Sequence, residues 1–552
     1  MDDCGALHEL WSDPETMKYI GAGGVWTRAQ IEERLQRAMR TQQEHGMTFW
    51  TIIERASGSI IGQGGLVPIE FDGPEIELGY RLGKDHWGKG YATEIARASA
   101  AYGFDTLGVD ELVAVCYEEN LPSRRVLLKA GFQEVILHIS TRLILGGSQE
   151  NTVLSCMGQS RLGHEVHLAF GPIFGPEGSH RKTIERFNER VRSGEESDLA
   201  SEVVMHELPN MVREIHPIKD HFCFHDDLKN LMKSVRPDVV HTHSSKAGIL
   251  GRWAAWKYMK NAGKPVAVVH TIHGPPFMPI EGSILNKLKV GFKNWIYTLA
   301  ERFAAKRCQI IASVADAMTE QFLDRRIGKK NQYITVRSGM DTQQYTNPLP
   351  NEDRDSMRHE LGFSEDDFVI GTVARLAQHK GHDDILDGLG DDLRNNPSWK
   401  LLWVGNGWWT DRLMDRVREM GLQDQVVHTG LVAQPRVAAM MRAMDVLLHP
   451  SYREGLPRTV PQALLCGVPV VASDTDGTPE VCLDARANPE HGTGLLVRVG
   501  DSDGIRKAIR WMHTHPEQRR LVGHHGRVMC EQMFSTDAMI EALEGVYEDA
   551  IR

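Results

Sequence analysis

The sequence predicts an α/β fold, and three observations carry that prediction. Short apolar runs rich in Val and Ile alternate with helix-length segments from one end to the other. At residues 136–162 such a run passes into a glycine turn and then a helical pattern, the way a nucleotide-binding α/β domain opens. The composition is that of an ordinary globular chain: 41% hydrophobic and 25% charged residues, with 52 Gly and 24 Pro in 552 residues. That excludes a disordered, collagen-like or coiled-coil chain. At about 100–200 residues per domain, the length allows three or four domains.

The elements follow in order. In the first segment the apolar alternation predicts strands at 49–53, 59–67, 75–82 and 112–117, with helices at 91–104 and 123–130. A new unit opens with ILHISTRLILGG at 136, then a helix at 151–162 and the strand EVHLAFG. Further strands are predicted at 239–243, 267–273 and 310–314. A third unit carries strands at 368–375, 400–405, 426–430, 446–450 and 469–473, each separated by a helix-length segment, which reads as a second parallel sheet. Residues 535–551 read as an amphipathic helix. The domain boundaries expected are 1–135, 136–340 and 341–530, with a C-terminal helix at 531–552 that returns to pack on the 136–340 domain.

Charge and composition narrow the function classes. The net charge is −11, without the basic excess of a nucleic-acid binder, so no nucleic-acid partner is expected. It is uneven: residues 1–135 carry 21 acidic and 13 basic side chains, the remainder 53 and 50. The eight cysteines are scattered without CxxC or tight Cys/His spacing, against structural zinc or a disulfide framework. No run approaches the ~18 apolar residues of a membrane span. MDDCGALHEL lacks the order of a signal peptide. The expected compartment is the cytoplasm, with peripheral membrane contact as a variant.

Residues 84–94, KDHWGKGYATE, lie between a predicted strand and a predicted helix. Gly88 and Gly90 let backbone N–H groups approach a ligand, and the helix N-terminus adds partial positive charge, a combination suited to a pyrophosphate. A tight turn would use the same glycines. EIELGYRLGKDHWGKGYATE followed by ENLPSRRVLLKAGF resembles the GNAT acetyltransferases, in the branch that acetylates protein N-termini and related amines. The resemblance implies acetyl-CoA as cosubstrate on Trp87, Gly88, Lys89, Gly90, Tyr91 and Ala92, with Asn120 and Ser123 beside its pantetheine and thiol end. Glu77 faces the acceptor as a general base, or is a solvated strand residue. Against the family pattern, the segment reads as incomplete at both ends, without the family's strand before the first helix and its strands after the KAGF motif. An active acetyltransferase and a vestigial or docking module both remain open.

From residue 136 onward, TRLILGGSQENT, GHEVHLAFGP, PDVVHTHSSKAGILGR, VVHTIHG, TVRSGMD, GTVARLAQHKGHDDIL, VGNGWWTDRL and SYREGLPRTVPQALLCGVPVVASDTDGTPE together resemble the family-4 glycosyltransferases, over about 400 residues and in the family's order. The resemblance implies the GT-B fold of two Rossmann-like domains facing across a cleft, with the nucleotide-sugar donor mainly on the C-terminal domain and the acceptor mainly on the N-terminal one. It implies retention of anomeric configuration.

The residues make chemical sense of this. A nucleotide-sugar leaves as a diphosphate that gains negative charge, and cations aimed at that charge speed its departure. Arg375 and Lys380 follow a strand and match the family's diphosphate-binding pair. Gly146 and Gly147 would bring backbone to the phosphates from across the cleft. Glu454 matches the acid that contacts the transferred sugar, and Gly455 and Leu456 offer backbone N–H groups. The family's second acid, eight positions on, is Gln462 here, which meets a ribose hydroxyl without charge. His273 in HTIHG matches a histidine near the donor sugar. His241 and His243 form HxH without a third ligand placed to complete a metal site, and the DTD at 474–476 falls in the family's SDxxGxPE loop. No metal is therefore expected, and no cofactor is required for glycosyl transfer.

In GSILNKLKVGFKNWIYTLAERFAAKR, apolar residues at 285, 288, 292, 295, 299 and 303 form a helical stripe among Lys287, Lys289 and Lys293. The helix either rests on an anionic membrane or packs this stripe into a core. The main expectation is a glycosyltransferase moving a sugar from a nucleotide-diphosphate donor, UDP-linked, to a glycan or lipid-linked acceptor in polysaccharide or surface-glycan synthesis. The alternatives are a bifunctional enzyme that also acetylates an amine or amino sugar, and a nucleotide-sugar-binding module without turnover.

Overall fold

The computed structural model describes the chain apart from residues 1–2, 21–23, 70–72, 74, 117–119, 174–177, 198, 215, 263–264, 275–276, 278–283 and 552, and apart from the side chains at 121, 124, 128, 284–286 and 551. It divides into two units, Met1–Glu134 and Val135–Ala550.

In the first unit three strands, β1 (Phe49–Ile53), β2 (Ile60–Pro68) and β3 (Ile76–Leu82), form an antiparallel sheet in that order. One apolar cluster gathers Leu66, Leu78, Ala96, Leu112 and Leu127, and a second gathers Leu7, Trp11, Met17 and Ile31. The helix Arg28–His45 starts at a Thr27/Gln30 capping box and stops at the left-handed Gly46, both standard terminus devices. The strand expected at 112–117 does not form. Val113 alone bridges to Glu77, and Val115 is exposed, so the alternation there buries too little to extend the pairing; Tyr117 lies outside the described residues. The helix expected at 91–104 runs Tyr91–Ala101 and widens into a π turn over Tyr102–Leu107.

The second unit holds two parallel sheets. Strands β4 (Val135–Ser140), β5 (Glu165–Phe170), β6 (Val204–Glu207), β7 (Val239–His243), β8 (Ala267–Ile272), β9 (Ile310–Ser313) and β10 (Tyr333–Thr335) form the first. Their order is β10-β9-β8-β7-β4-β5-β6. Strands β11 (Phe368–Val373), β12 (Trp399–Val404), β13 (Val426–Gly430), β14 (Val446–His449), β15 (Val470–Ser473) and β16 (Gly494–Val497) form the second, in the order β13-β12-β11-β14-β15-β16. Every pairing in both sheets is parallel. The central strands β7, β8 and β14 are buried at every residue, as a sheet covered on both faces requires. This is the GT-B pairing of two Rossmann-like domains.

In each sheet the chain builds outward in one direction, then returns to build the other side. The order therefore reverses at β4/β7 in the first sheet and at β11/β14 in the second. Such reversals leave a crevice at the carboxyl ends of the two central strands, where α/β sheets bind ligands.

The helix Gly147–Arg161 begins at the glycine pair itself, with Gly146 as N-cap, four residues earlier than the sequence periodicity suggested. The C-terminal helix Thr536–Ile551 lies against the first sheet's elements. Tyr547 Oη is 2.6 Å from His241 Nδ1, and Glu544 Oε2 is 3.1 Å from His164 Nε2. The helix Ile284–Ala305 forms as expected, but it turns Glu301, Ala304 and Ala305 inward. Leu288, Phe292, Trp295, Leu299 and Phe303 are exposed, which corrects the core-packed reading of that stripe. The Leu285 side chain lies outside the described residues. Among the described residues no helix is long and apolar enough to cross a membrane.

Candidate active site

Loops from both sheets of the second unit close around a cavity of about 570 Å³. The second sheet supplies Arg375 and Lys380 from the connection after β11, and His449 and residues 454–459 from the end of β14 and the loop beyond it. The first sheet supplies Gly147 and Ser148 after β4, Ser244 and Ser245 after β7, and His273 and Gly274 after β8. Both strand-order reversals thus contribute directly.

Glu454 is the electrostatic centre. Its carboxylate is ion-paired with Lys380 and lies 3.2 Å from His449 Nε2. Burial alone would raise its pKa. His449 and Lys380 beside it override burial and hold the carboxyl well below the usual range. The Glu454 backbone N–H donates to Asp476 Oδ2 at 2.8 Å, and Asp476 Oδ1 accepts from Gln321 Nε2 at 2.7 Å. Both oxygens of the second aspartate in the DTD therefore hold backbone and side chain in place. In the same loop Glu480 accepts the N–H groups of Asp316 and Ala317, at 3.0 and 2.9 Å, at the start of the helix Asp316–Asp324. This one loop ties Glu454 to the first sheet's domain.

Arg375 is exposed at the cavity and lies over the Trp408 ring at 5.6 Å. A third cation joins it: Arg458 Nη2 is 3.1 Å from Glu150 Oε2, and Nη1 donates to the Gly339 carbonyl at 3.3 Å. A Cβ on Gly147 would sit 2.4 Å from Arg458 Cδ, so the glycine is what lets the guanidinium stem cross there.

Behind the cavity runs a file of buried imidazoles. Gln159 Oε1 is 2.7 Å from His138 Nε2, His138 Nδ1 is 2.9 Å from His243 Nε2, and His243 Nδ1 is 3.1 Å from His273 Nε2. With the glutamine oxygen as acceptor, each ring donates through Nε2 and accepts through Nδ1, and the file ends at the Nδ1 lone pair of His273. Desolvation pushes His273 down to about 3, with the Arg458 charge acting in the same direction. Burial takes His138 to about 4, partly opposed by its Gln159 bond and by Glu544. These rings are neutral at pH 7. His138, His241 and His243 bring ligand atoms within 4.8 Å of one another. All six of their ring nitrogens are already engaged in hydrogen bonds, His241 with Tyr547 and with Thr271 at 2.6 Å. The cluster is thus a saturated hydrogen-bond network.

Of the residues singled out from sequence, Gly147, His273, Arg375, Lys380, Glu454, Gly455 and Leu456 meet in this cavity. Gly146 caps the adjoining helix and is not in the wall. Gln462 is not there either. It is buried on the helix Thr459–Leu465 and donates its amide to Tyr345 Oη at 2.8 Å. Sequence reasoning missed His449, Arg458, Ser244 and Gln159. Arg458 stood inside the motif EGLPR already quoted, so its position was visible while its reach toward Glu150 was not.

In the first unit, Gly88 and Gly90 have φ of 73° and 88° with open space where a Cβ would be. Gly90 starts the helix Tyr91–Ala101 without a side-chain cap, so the first-turn N–H groups face no side-chain acceptor there and fit a pyrophosphate. Lys89 and Ala92 flank them. Trp87 Nε1 donates to the Leu82 carbonyl at 2.8 Å while the ring stays half-exposed. Ser123 Oγ is 2.8 Å from Tyr80 Oη, and Asn120 Oδ1 accepts from the Ser123 N–H at 3.3 Å. Desolvation raises Glu77, the direction a proton-accepting base needs. A 760 Å³ cavity in this unit is lined by β1 and the 91–101 helix, and Tyr91 alone of the predicted acetyl-CoA residues borders it.

Comparison with known proteins places both units in known families. The model "Acetyltransferase (GNAT) domain" matches residues 1–133, "Glycosyltransferase Family 4" matches 145–344 and "Glycosyl transferases group 1" matches 353–529. The chain is similar to the putative glycosyltransferase EpsD of Bacillus subtilis, 25% identical over 58% of this chain and 78% of that one. To the capsular polysaccharide biosynthesis glycosyltransferase CapM of Staphylococcus aureus it is 25% identical over 62% and 86%. The front segment is 31% identical to the uncharacterized N-acetyltransferase p20 of Bacillus licheniformis, over 24% of this chain and 75% of that one. The crystal structure of Anabaena Alr3699/HepE in complex with UDP and glucose superposes with a TM-score of 0.57 at 18% identity, covering 75% of this chain and 99% of that one. The protein belongs to the family-4, group-1 glycosyltransferases of GT-B fold and carries a GNAT acetyltransferase domain in front.

Proposed function

We propose that the chain transfers a sugar, with retention of configuration, from a nucleotide-diphosphate donor, UDP-linked, to a glycan or lipid-linked acceptor in polysaccharide or surface-glycan synthesis. The observation that carries this is the meeting of Arg375, Lys380 and Glu454 in one cavity at the strand-order reversals. Arg375 and Lys380 would receive the diphosphate and stabilise the charge it gains on leaving. Glu454, kept ionised, would hold the transferred sugar's hydroxyls, and Gly455 and Leu456 would add backbone N–H groups. His273, kept neutral, would hydrogen-bond the sugar through its Nδ1. The leaving phosphate oxygen would take the acceptor hydroxyl's proton on the same face of the sugar, which needs no carboxylate nucleophile. The relatives' names support donor and acceptor class. One Escherichia coli relative, 29% identical, is a UDP-Gal:alpha-D-GlcNAc-diphosphoundecaprenol galactosyltransferase. Another, from Corynebacterium glutamicum and 28% identical, is a GDP-mannose-dependent mannosyltransferase acting on a phosphatidylinositol monomannoside.

Thermal unfolding with UDP, GDP and ADP separates the nucleotide classes. A ligand at about 100 times its Kd stabilises by about 2.7 kcal/mol. We expect a shift with UDP; a shift with GDP or ADP alone replaces the donor, and no shift with any of them overturns the donor site.

A lipid-linked acceptor implies work at a membrane face. The exposed Leu288, Phe292, Trp295 and Leu299, flanked by exposed Lys287, Lys289 and Lys293, suit an anionic bilayer. Co-sedimentation with vesicles containing phosphatidylglycerol is expected, and loss of it in Trp295→Asp. Equal recovery with neutral vesicles contradicts the charge-led version.

The uncapped helix start after Gly88 and Gly90 supports a second activity, acetyl transfer from acetyl-CoA to an amine or amino sugar. Release of CoA with amine acceptors tests it. Its absence across a broad panel leaves the front domain as a docking module.

A further inference from the structure

We infer that the front unit binds, on Arg81 and Arg34, the carboxylate of an amino-acid-like ligand, the acceptor of its acetyl group. The inference rests on the acetyl-transfer reading above and names the acceptor's class within it. Near the end of β3 the Arg81 guanidinium lies over the rings of Trp11 and Trp26, at 4.6 and 4.7 Å, with Phe49 at 5.8 Å. Arg34 lies over Trp26 as well, at 3.7 Å, so one ring carries both guanidiniums. Among the described residues neither cation has an ion pair or donates a side-chain hydrogen bond. The carboxylates beside Arg34 on its helix are engaged elsewhere, Glu32 with Arg28 and Cys4, Glu33 with Arg37. Trp11 Nε1, buried in the same cluster, also lacks an acceptor.

Like charges held together without a counter-charge are costly where burial strips their water. Desolvation, with the Arg34 charge adding to it, lowers Arg81 to about 9, which leaves it a cation at pH 7. A ligand oxyanion removes that cost, and a planar carboxylate matches a guanidinium fork. Strand alternation puts Glu77, Gly79 and Arg81 on one face of β3. Glu77 and Arg81 stand about 13 Å apart along it. Between them a Cβ on Gly79 would sit 2.8 Å from Phe49 Cζ, so the glycine admits a ring that gives this run an apolar middle. An extended six-carbon amino acid with a hydrogen bond at each end spans about the same length. Its nitrogen would lose a proton to Glu77 and attack the thioester carbon. The C–S bond then breaks, and CoA leaves as its thiol with the proton passed on to sulfur. A plain alkylamine leaves both arginines without a counter-charge.

The test uses the full chain and compares 6-aminohexanoate with hexylamine, by titration calorimetry in the presence of CoA and by CoA release from acetyl-CoA. We expect 6-aminohexanoate to bind at least tenfold more tightly and to show the lower KM. Arg34→Gln should cut that preference at least fivefold, and Arg81→Met further, with Arg81→Lys keeping part of it. Arg34 is exposed, so its variant tests the site even where Arg81→Met does not fold. Equal binding of the two amines overturns the inference, as does a preference that Arg34→Gln leaves intact. Tighter binding of O-phosphoethanolamine than of 6-aminohexanoate overturns it too, by making this a phosphate site. CoA release from both amines at equal KM, with equal binding, sinks this inference alone. Carboxylate-dependent binding without CoA release from any amine sinks the acetyl-transfer reading instead and leaves the carboxylate site standing.

Discussion

His273 shows what a single position owes to its surroundings. Its Nε2 is fixed by His243, and His243 by His138, so its free Nδ1 is set by residues that never reach the cavity. Replacing His243 with Leu strips a partner from both neighbours. An unsatisfied buried polar group costs about 1–3 kcal/mol, so His243→Leu should lower the melting temperature and depress kcat more than it raises the donor KM. An unchanged kcat with a lowered melting temperature would reduce the file to packing. From sequence, His273 was legible as a site residue because it ends a strand inside a quoted motif. The file behind it was not, because Gln159 and His138 come from a helix and a strand with no local signal linking them. Gln462 illustrates the opposite failure: the motif spacing pointed to the cavity, while the side chain turns to Tyr345.

Among elements, strands buried on both faces were readable, whereas of the four parallel-sheet edges only β13, VVHTG, was. VVHTH and AVVHTI were found almost to the residue because a covered parallel strand needs a continuous β-branched run. The three missed strands, β6, β10 and β16, are all sheet edges of three or four residues. Edges pair on one side only and need no such run. The helix Ile284–Ala305 was found with its stripe, but periodicity cannot say whether a stripe meets a core or remains bare. Here it remains bare. Leu288→Gln combined with Trp295→Gln should therefore leave the melting temperature within about 1 °C while removing vesicle binding, since exposed substitutions usually stay within about 0.5 kcal/mol. A large drop in melting temperature would mean the stripe has a protein partner.

At the scale of the whole molecule, two parallel sheets place their crevices against one cavity, and the cost is a set of buried neutral histidines. Burial lowers His138 to about 4, His273 to about 3 and His382 to about 4, and takes His241, His243 and His270 well below 6.5. Their folded pKa values lie below the unfolded value, so the unfolded chain binds more protons at acid pH. Their contribution to stability is complete above about 6.5 and is lost as pH falls toward 4, at about 1.4 kcal/mol per pH unit for each such group. Denaturation of the full chain should show the glycosyltransferase unit losing stability steeply between pH 6.5 and 5, less so in His138→Gln. A flat profile would mean that these rings take up protons without unfolding.

Turnover in the cavity where both crevices meet is directly measurable. Release of nucleoside diphosphate from UDP-, GDP- and ADP-sugars, with and without acceptor, should be followed for the wild type, Lys380→Ala and Glu454→Ala. We expect release from UDP-sugars by the wild type and at least a tenfold loss in each variant, about 1.4 kcal/mol of barrier. Wild-type rates in both variants, or no release from any donor by the wild type, would contradict it.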